Sequence, residues 1–225
     1  MNLQTIYYTK QRRKLLKNHQ KMMNLGQPLM AARYGERLAE TAVTASTTEF
    51  GRLIPQIPYI GGKANSLTDT LVQMTSLLAL YRVLKREGKP IADIGDLFYE
   101  MAQAQVNRFP QWLRHLTGRL YLSRWNVRRL RQKAAVSQQR QYSGDFVIEL
   151  VPAHDTRSIQ GINYLECGIV KFFAQQGAAE LTPYMCRIDY LLFPAMGIQL
   201  NRTGTIAQGC THCDFRFNQL REKQP

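Results

Sequence analysis

The chain has 225 residues, 44% of them hydrophobic, enough for one sizeable core. Its 30 Lys and Arg against 16 Asp and Glu give a net charge of +14. That balance favours an anionic partner (nucleic acid, acidic lipid or a carboxylate substrate) and equally fits a solvated basic surface. The basic start Met1–Lys21 has no apolar run behind it, so it is not read as a secretory signal, and the apolar stretches Leu77–Leu84 and Tyr190–Leu200 are too short or interrupted to span a bilayer. The four cysteines all lie in the last third and are expected to stay reduced in a cytoplasmic protein. No Walker loop, dinucleotide fingerprint or serine-hydrolase elbow occurs.

Residues Gln4–Glu49 read as helix, with Leu15, Leu16, Met22 and Met23 as an apolar side among basic residues. Leu53–Lys63 breaks the pattern with two prolines and two glycines, and its apolar content predicts an ordered loop. Asn65 or Ser66 then caps a helix over Leu67–Arg86, whose Leu71, Met74, Leu78 and Tyr81 share a face and which Gly88-Lys89-Pro90 stops. A helix over Ile91–Asn107 follows, with Asp93 as a candidate cap. After Pro110 comes a basic helix over Trp112–Gln138, in which seven Arg and Lys alternate with Leu113, Leu116, Leu120, Val127 and Leu130. Such a helix is expected to pack its stripe on the core with its cations in water; the alternative is an anionic membrane surface, which would make the protein peripheral to a membrane. No specific nucleic-acid partner is expected.

From Gln141 the character changes. Phe146–Val151 reads as a strand and Asn163–Gln176 as a helix ended by Gly177. Pro183 opens a helix carrying Cys186 and Asp189, which Pro194 and Gly197 end. Ile198–Gln208 and Cys213–Phe217 read as the two strands of a hairpin turning at Gly209–Thr211. Helices first and an antiparallel sheet later predict an α+β fold: a helical region over 1–140 packed on a cysteine-containing α+β region over 141–225, together one compact unit.

Cysteine is the strongest nucleophile available near neutral pH. Asp214 follows Cys213, and Arg216 shares the strand face at period two, where a guanidinium would favour a thiolate and could bind a carboxylate. The bland alternative makes Cys213 a small buried hydrophobe. Cys210-Thr211-His212-Cys213 spells a C-x-x-C, and Cys167, Cys186 and Cys213 would be the ligands of a zinc site assembled from distant segments. With no second C-x-x-C in the chain, neither zinc nor any other cofactor is favoured. Glu166-Cys167 falls near a predicted helix start, which lowers a thiol pKa while the glutamate opposes it. Cys186 and Asp189, three apart on a helix, share a face as a nucleophile and a proton carrier would. His19 and His115 lie in basic amphipathic stretches and are expected at the surface. His154, in a loop before Asp155, is the best candidate base, although a loop histidine is more often only solvated.

Several segments carry a family likeness. They are Leu53–Lys63, Ala79-Leu80-Tyr81 and Tyr142–Phe146, and most strongly Tyr164-Leu165-Glu166-Cys167, Glu180–Asp189, and Arg202–Gly209 followed by Cys213–Phe217. In this order they resemble the L-2-amino-thiazoline-4-carboxylic acid hydrolase family. The end of the chain, Gly209–Phe217, is also similar to 4-vinyl-reductase-type domains, which bind small ligands or metal without hydrolysis. The resemblance implies a hydrolase that opens a cyclic amidine, a 2-aminothiazoline-4-carboxylate, to an N-carbamoyl-cysteine product. It carries cysteine positions over to Cys167, Cys186 and Cys213, and acidic ones to Glu166, Asp189 and Asp214. For such a substrate Arg202 and Arg216 are candidates to hold the carboxylate. Cys213 or Cys167 would attack the amidine-like carbon, and Asp189 or Glu166 would hold the amidinium and move protons. The competing readings are a non-catalytic small-ligand or zinc-binding module on the same scaffold, and a basic membrane- or nucleic-acid-associated protein. Oligomeric state is not legible.

Overall fold

The computed structural model describes residues 3–152 and 159–219. Its elements are α1 (Leu3–Lys10), α2 (Arg12–Tyr34), α3 (Glu36–Leu53), α4 (Thr68–Arg86), α5 (Ile91–Asn107), α6 (Gln111–Tyr121), α7 (Arg124–Ser137), β1 (Val147–Pro152), β2 (Ile159–Glu166), α8 (Gly168–Gln175), α9 (Thr182–Arg187), α10 (Asp189–Ala195), β3 (Ile198–Asn201) and β4 (Cys213–Gln219). The fold is α+β, helical first, with one antiparallel sheet late in the chain. The chain divides into two compact units: Met1–Ala104 with Tyr142–Gly144 and Gly168–Met185, and Gln105–Gln141 with Asp145–Cys167 and Cys186–Pro225.

The first unit is helical. The helix expected over Gln4–Glu49 is three helices, because Gln11 and then Gly35, at φ 88°, interrupt it. Its basic appearance hides an inward face. His19 is buried, not at the surface: its ring stacks on Phe50 and its nitrogens meet Ser76 Oγ and Ser46 Oγ. Two serine hydroxyls make an imidazole tolerable in the core, where burial lowers its pKa to about 4. The proline-rich segment is ordered because Ile54, Ile57 and Ile60 are buried. Gly62 lies there at φ 58°, and a Cβ on it would come within 2.8 Å of the Tyr7 ring. Asn65 accepts the Leu67 N–H through Oδ1 at 3.0 Å, a turn that precedes α4 and does not cap it directly. Asp93 lies in the first turn of α5, where it binds Arg33 at 2.6 Å.

The second unit is built on the sheet, in the order β1-β2-β4-β3 with every neighbour antiparallel. Segment 163–166, expected to be helical, belongs to β2. Gly161 permits this, since a Cβ there would lie 1.9 Å from Phe215 O across the ladder. The strand expected over Ile198–Gln208 stops at Asn201, and a 3-10 turn occupies Ile206–Gln208. One sheet face buries Ile148, Ile162, Leu200, Cys213, Phe215 and Phe217 against Val127 and Ala134 of α7.

The single basic helix expected over 112–138 is two. Ser123 separates them and caps α7 by accepting the Asn126 N–H at 3.3 Å. Nor does α6 pack its apolar stripe on the core. The buried residue of α6 is Gly118, where a Cβ would meet Met196 O at 2.0 Å. A glycine lets the helix approach backbone that closely, so the opposite face, with Trp112, Leu116 and Leu120, is left in solvent.

Candidate active site

The β2–β4 register sets Tyr164 opposite Cys213 and Ile162 opposite Phe215, so these side chains share the buried face. Cys213 therefore sits in the apolar cluster, with its sulfur accepting the Ile206 N–H at 3.2 Å. Burial raises its thiol pKa, opposed by that hydrogen bond and by Arg202. Asp214 and Arg216 alternate onto the other face. Arg216 donates to Asn163 Oδ1 and to Phe215 O, both at 2.9 Å, and so is not the cation that serves Cys213. Cys213 and Arg216 are three positions apart, and an odd spacing on a strand puts two side chains on opposite faces.

The cation on the cysteine side is Arg202. Its side chain is 4% exposed, and its Nη1 binds Asp189 Oδ2 at 2.7 Å. Nη2 donates to Cys186 O at 2.8 Å, and the guanidinium carbon lies 4.9 Å from both the Tyr190 and the Phe215 ring centroids. Asp214 holds the loop that carries Arg202: its carboxylate accepts from Thr203 N, Thr203 Oγ1 and Gly204 N at 2.6 to 3.1 Å. Burial works against its ionisation, but these bonds outweigh it and bring the pKa to about 2. Asp214 is thereby committed to the loop.

The electrostatic environment gathers the remaining groups around Asp189. Burial pushes its carboxyl up to about 6 against the pull of Arg202. Its second oxygen, Oδ1, accepts no hydrogen bond from a described residue. Burial likewise pushes the Cys186 thiol up to about 12, reinforced by the Asp189 charge and by the thiols of Cys167 and Cys213. Cys186 and Asp189 stand on two successive helices, not one, since α9 ends at Arg187 and α10 starts at Asp189. Cys167 follows the last residue of β2 and immediately precedes α8. Of the three cysteines expected to converge, Cys167 and Cys213 both lie within electrostatic reach of Cys186, and none is in a disulfide. Among the described residues, however, no three His, Cys, Asp or Glu side chains are grouped as a metal ion requires, so Cys167, Cys186 and Cys213 form no ready zinc ligand set.

Glu166 ends β2, outside any helix, and binds Arg140 Nε at 2.6 Å. Cys210 is exposed while its C-x-x-C partner Cys213 is buried. His154 lies outside the described residues. Two aromatic residues went unnoticed as site candidates. Tyr164 and Tyr121 both have phenol pKa values raised, first by burial and also by the Asp189 charge, so both stay protonated within electrostatic reach of it. The available signal was the alternation of Ile162 and Tyr164 with polar Asn163, which marks a strand with Tyr164 inward.

Two cavities have other linings. One of about 430 Å³, in the first unit, is lined by Glu49, Tyr81, Arg82, Lys85 and Arg86. The other, about 320 Å³, lies between α7 and the β1 edge and includes Arg131, Gln138 and Glu149. Neither is lined by a cysteine or by Asp189. No helix among the described residues is long and apolar enough to cross a membrane.

No curated protein and no solved structure matches the chain. Residues 70–217 match the family model of L-2-amino-thiazoline-4-carboxylic acid hydrolase, a span that holds the whole Asp189 cluster. On that match over more than half of its length, the chain belongs to the L-2-amino-thiazoline-4-carboxylic acid hydrolase family.

Proposed function

We propose that the protein hydrolyses a 2-aminothiazoline-4-carboxylate-like ring to an N-carbamoyl-cysteine-type product, with Asp189 as the group that moves the proton. The observation that carries this reading is the Asp189–Arg202 pair. One carboxylate oxygen is held by a buried guanidinium and the other is unbonded, on a group whose pKa of about 6 suits proton transfer near neutrality. The product named keeps both ring-carbon nitrogens, so the bond that breaks is carbon–sulfur. Asp189 Oδ1 takes a proton from water as the water oxygen adds to the amidine carbon. The ring nitrogen, which has received the C=N electron pair, takes the proton of the added hydroxyl; as the carbonyl forms the C–S bond breaks, and the leaving sulfur takes the other proton back from Asp189. One water is added and nothing else is consumed. Tyr164 and Tyr121 stay protonated through the cycle and supply hydrogen bonds to the substrate. Cys186 and Cys213, held as neutral thiols by burial, line the site without attacking.

Product formation exposes a thiol, so release of thiol from 2-aminothiazoline-4-carboxylate, read with a thiol reagent after quenching, follows the reaction directly. Asp189→Asn keeps the shape of the side chain and removes the base; it should lower kcat by roughly 10²- to 10⁴-fold with an unchanged circular dichroism spectrum. Near-wild-type turnover in Asp189→Asn would remove Asp189 from the chemistry. Saturable binding of the compound to the wild-type protein without thiol release would favour the non-catalytic ligand-binding reading.

A further inference from the structure

Between Glu100 and Asp145 the chain carries nine Arg and Lys and no acidic residue. Helices α6 and α7 fill most of that stretch. Because α6 packs through Gly118, its Trp112, Leu116 and Leu120, spaced four apart on the opposite face, stand in solvent at 67%, 45% and 60% exposure. Phe109 precedes this stripe, and Trp125, in the first turn of α7, is as exposed as Trp112. Exposed arginines Arg119, Arg124 and Arg128 lie in the same stretch, and the Arg129 guanidinium sits 4.6 Å from the Trp125 ring centroid.

A solvated helix face is ordinarily polar, and a run of large apolar side chains in water marks a surface that meets something. The charge narrows what it meets. A second copy of this chain would bring an equally cationic face against the first, and like charges oppose that association. Nucleic acid supplies the negative charge and could stack on tryptophan, but it offers nothing to Leu116 and Leu120. An anionic bilayer satisfies both halves: lipid phosphates for the arginines, and a headgroup layer in which tryptophan is favoured with leucine just beneath it. We propose that α6 and the start of α7 dock this protein on an anionic lipid surface, with Trp112 and Trp125 at the headgroup level. With no described helix able to span, the attachment is peripheral. The inference is independent of the proposed chemistry.

Trp112 and Trp125 are the only tryptophans in the chain, so intrinsic emission reads this surface without a label. The full chain is titrated at low salt with vesicles of phosphatidylcholine alone and of phosphatidylcholine containing phosphatidylglycerol, with cosedimentation in parallel. Emission should shift to the blue, and protein should sediment, with the anionic vesicles only, and about 0.5 M salt should weaken both. Arg124→Glu with Arg128→Glu should lower partitioning by about tenfold or more. Leu116→Ser with Leu120→Ser should lower it as well, while thiol release and melting temperature stay near wild type. The absence of a shift and of cosedimentation on anionic vesicles at low salt overturns the proposal. So does equal binding to neutral vesicles. Lipid-free emission that is already blue-shifted and tracks a concentration-dependent dimer overturns it in favour of a second copy, and protection of the tryptophans by single-stranded nucleic acid at the expense of vesicle binding overturns it in favour of nucleic acid.

Discussion

Replacing Arg202 by Met removes a guanidinium that is almost wholly enclosed, bound to Asp189 at 2.7 Å and 4.9 Å from the Tyr190 and Phe215 ring centroids, while keeping an aliphatic side chain in its place. With Arg202 present, burial has already lifted Asp189 to about 6. A close opposite charge lowers a carboxyl by about one to three units, so its loss should carry the acid limb of kcat/KM to higher pH by about one to three pH units. Wild-type Asp189 is about nine-tenths ionised at pH 7; a midpoint displaced by two pH units would leave about a tenth ionised, a loss of roughly tenfold at that pH that is recovered at higher pH. Stability changes in the opposite sense. The folded pKa of Asp189 lies above its unfolded value of 3.8, so its contribution is complete at low pH and is lost as pH rises through the folded value. In Arg202→Met the carboxyl escapes by protonation at low pH, leaving the lost hydrogen bond to Cys186 O and the lost ring contacts, about 1–3 kcal/mol. As pH rises the unpaired carboxylate adds its own penalty, so the melting deficit should widen from pH 6 to pH 9. Thiol release across pH and thermal melts in the same buffers measure the two effects. An acid limb left near 6 in the variant, or a melting deficit constant across that range, would refute the coupling of Arg202 to Asp189.

Three further outcomes concern stability and packing. His19 has its pKa lowered from 6.5 to about 4, so its contribution is present above 6.5 and is lost as pH falls towards 4, about 3 kcal/mol in all. The difference in urea stability between wild type and His19→Gln should therefore shrink from pH 7 to pH 4, and a constant difference would contradict the buried neutral ring. Gly161→Ala drives a Cβ to 1.9 Å from Phe215 O and should cost about 3 kcal/mol or more, read as a lower urea midpoint or as loss of soluble protein. Cys213→Ala should cost about 1–2 kcal/mol through the apolar cluster and retain thiol release; wild-type melting with no product would instead make Cys213 chemical.

The parts of this protein legible in the sequence are those governed by neighbours along the chain. The limits of α4 and α5 follow from a helical apolar period interrupted by Gly88 and Pro90 and by Pro110. The order of Leu53–Lys63 follows from prolines that forbid helix and isoleucines that avoid water. The family likeness, too, is a property of residues in order, and it brought Cys167, Cys186, Asp189 and Arg202 into consideration. Periodicity names an apolar face but not what covers it. Whether Leu116 and Leu120 face core or water depended on how closely Gly118 meets Met196, a contact across nearly eighty residues. The interior position of His19 depended on Ser46 and Ser76 arriving from two other helices. Pairing Cys213 with Arg216 failed because a strand alternates its faces. Pairing Arg202 with Asp189 was invisible because the two lie on different elements, which only the fold brings to 2.7 Å of each other around a buried guanidinium. Propensity and pattern act over a few residues, whereas burial and electrostatics act through space. The elements were therefore written in the chain, while tertiary structure alone decided which carboxyl would have its pKa lifted to about 6.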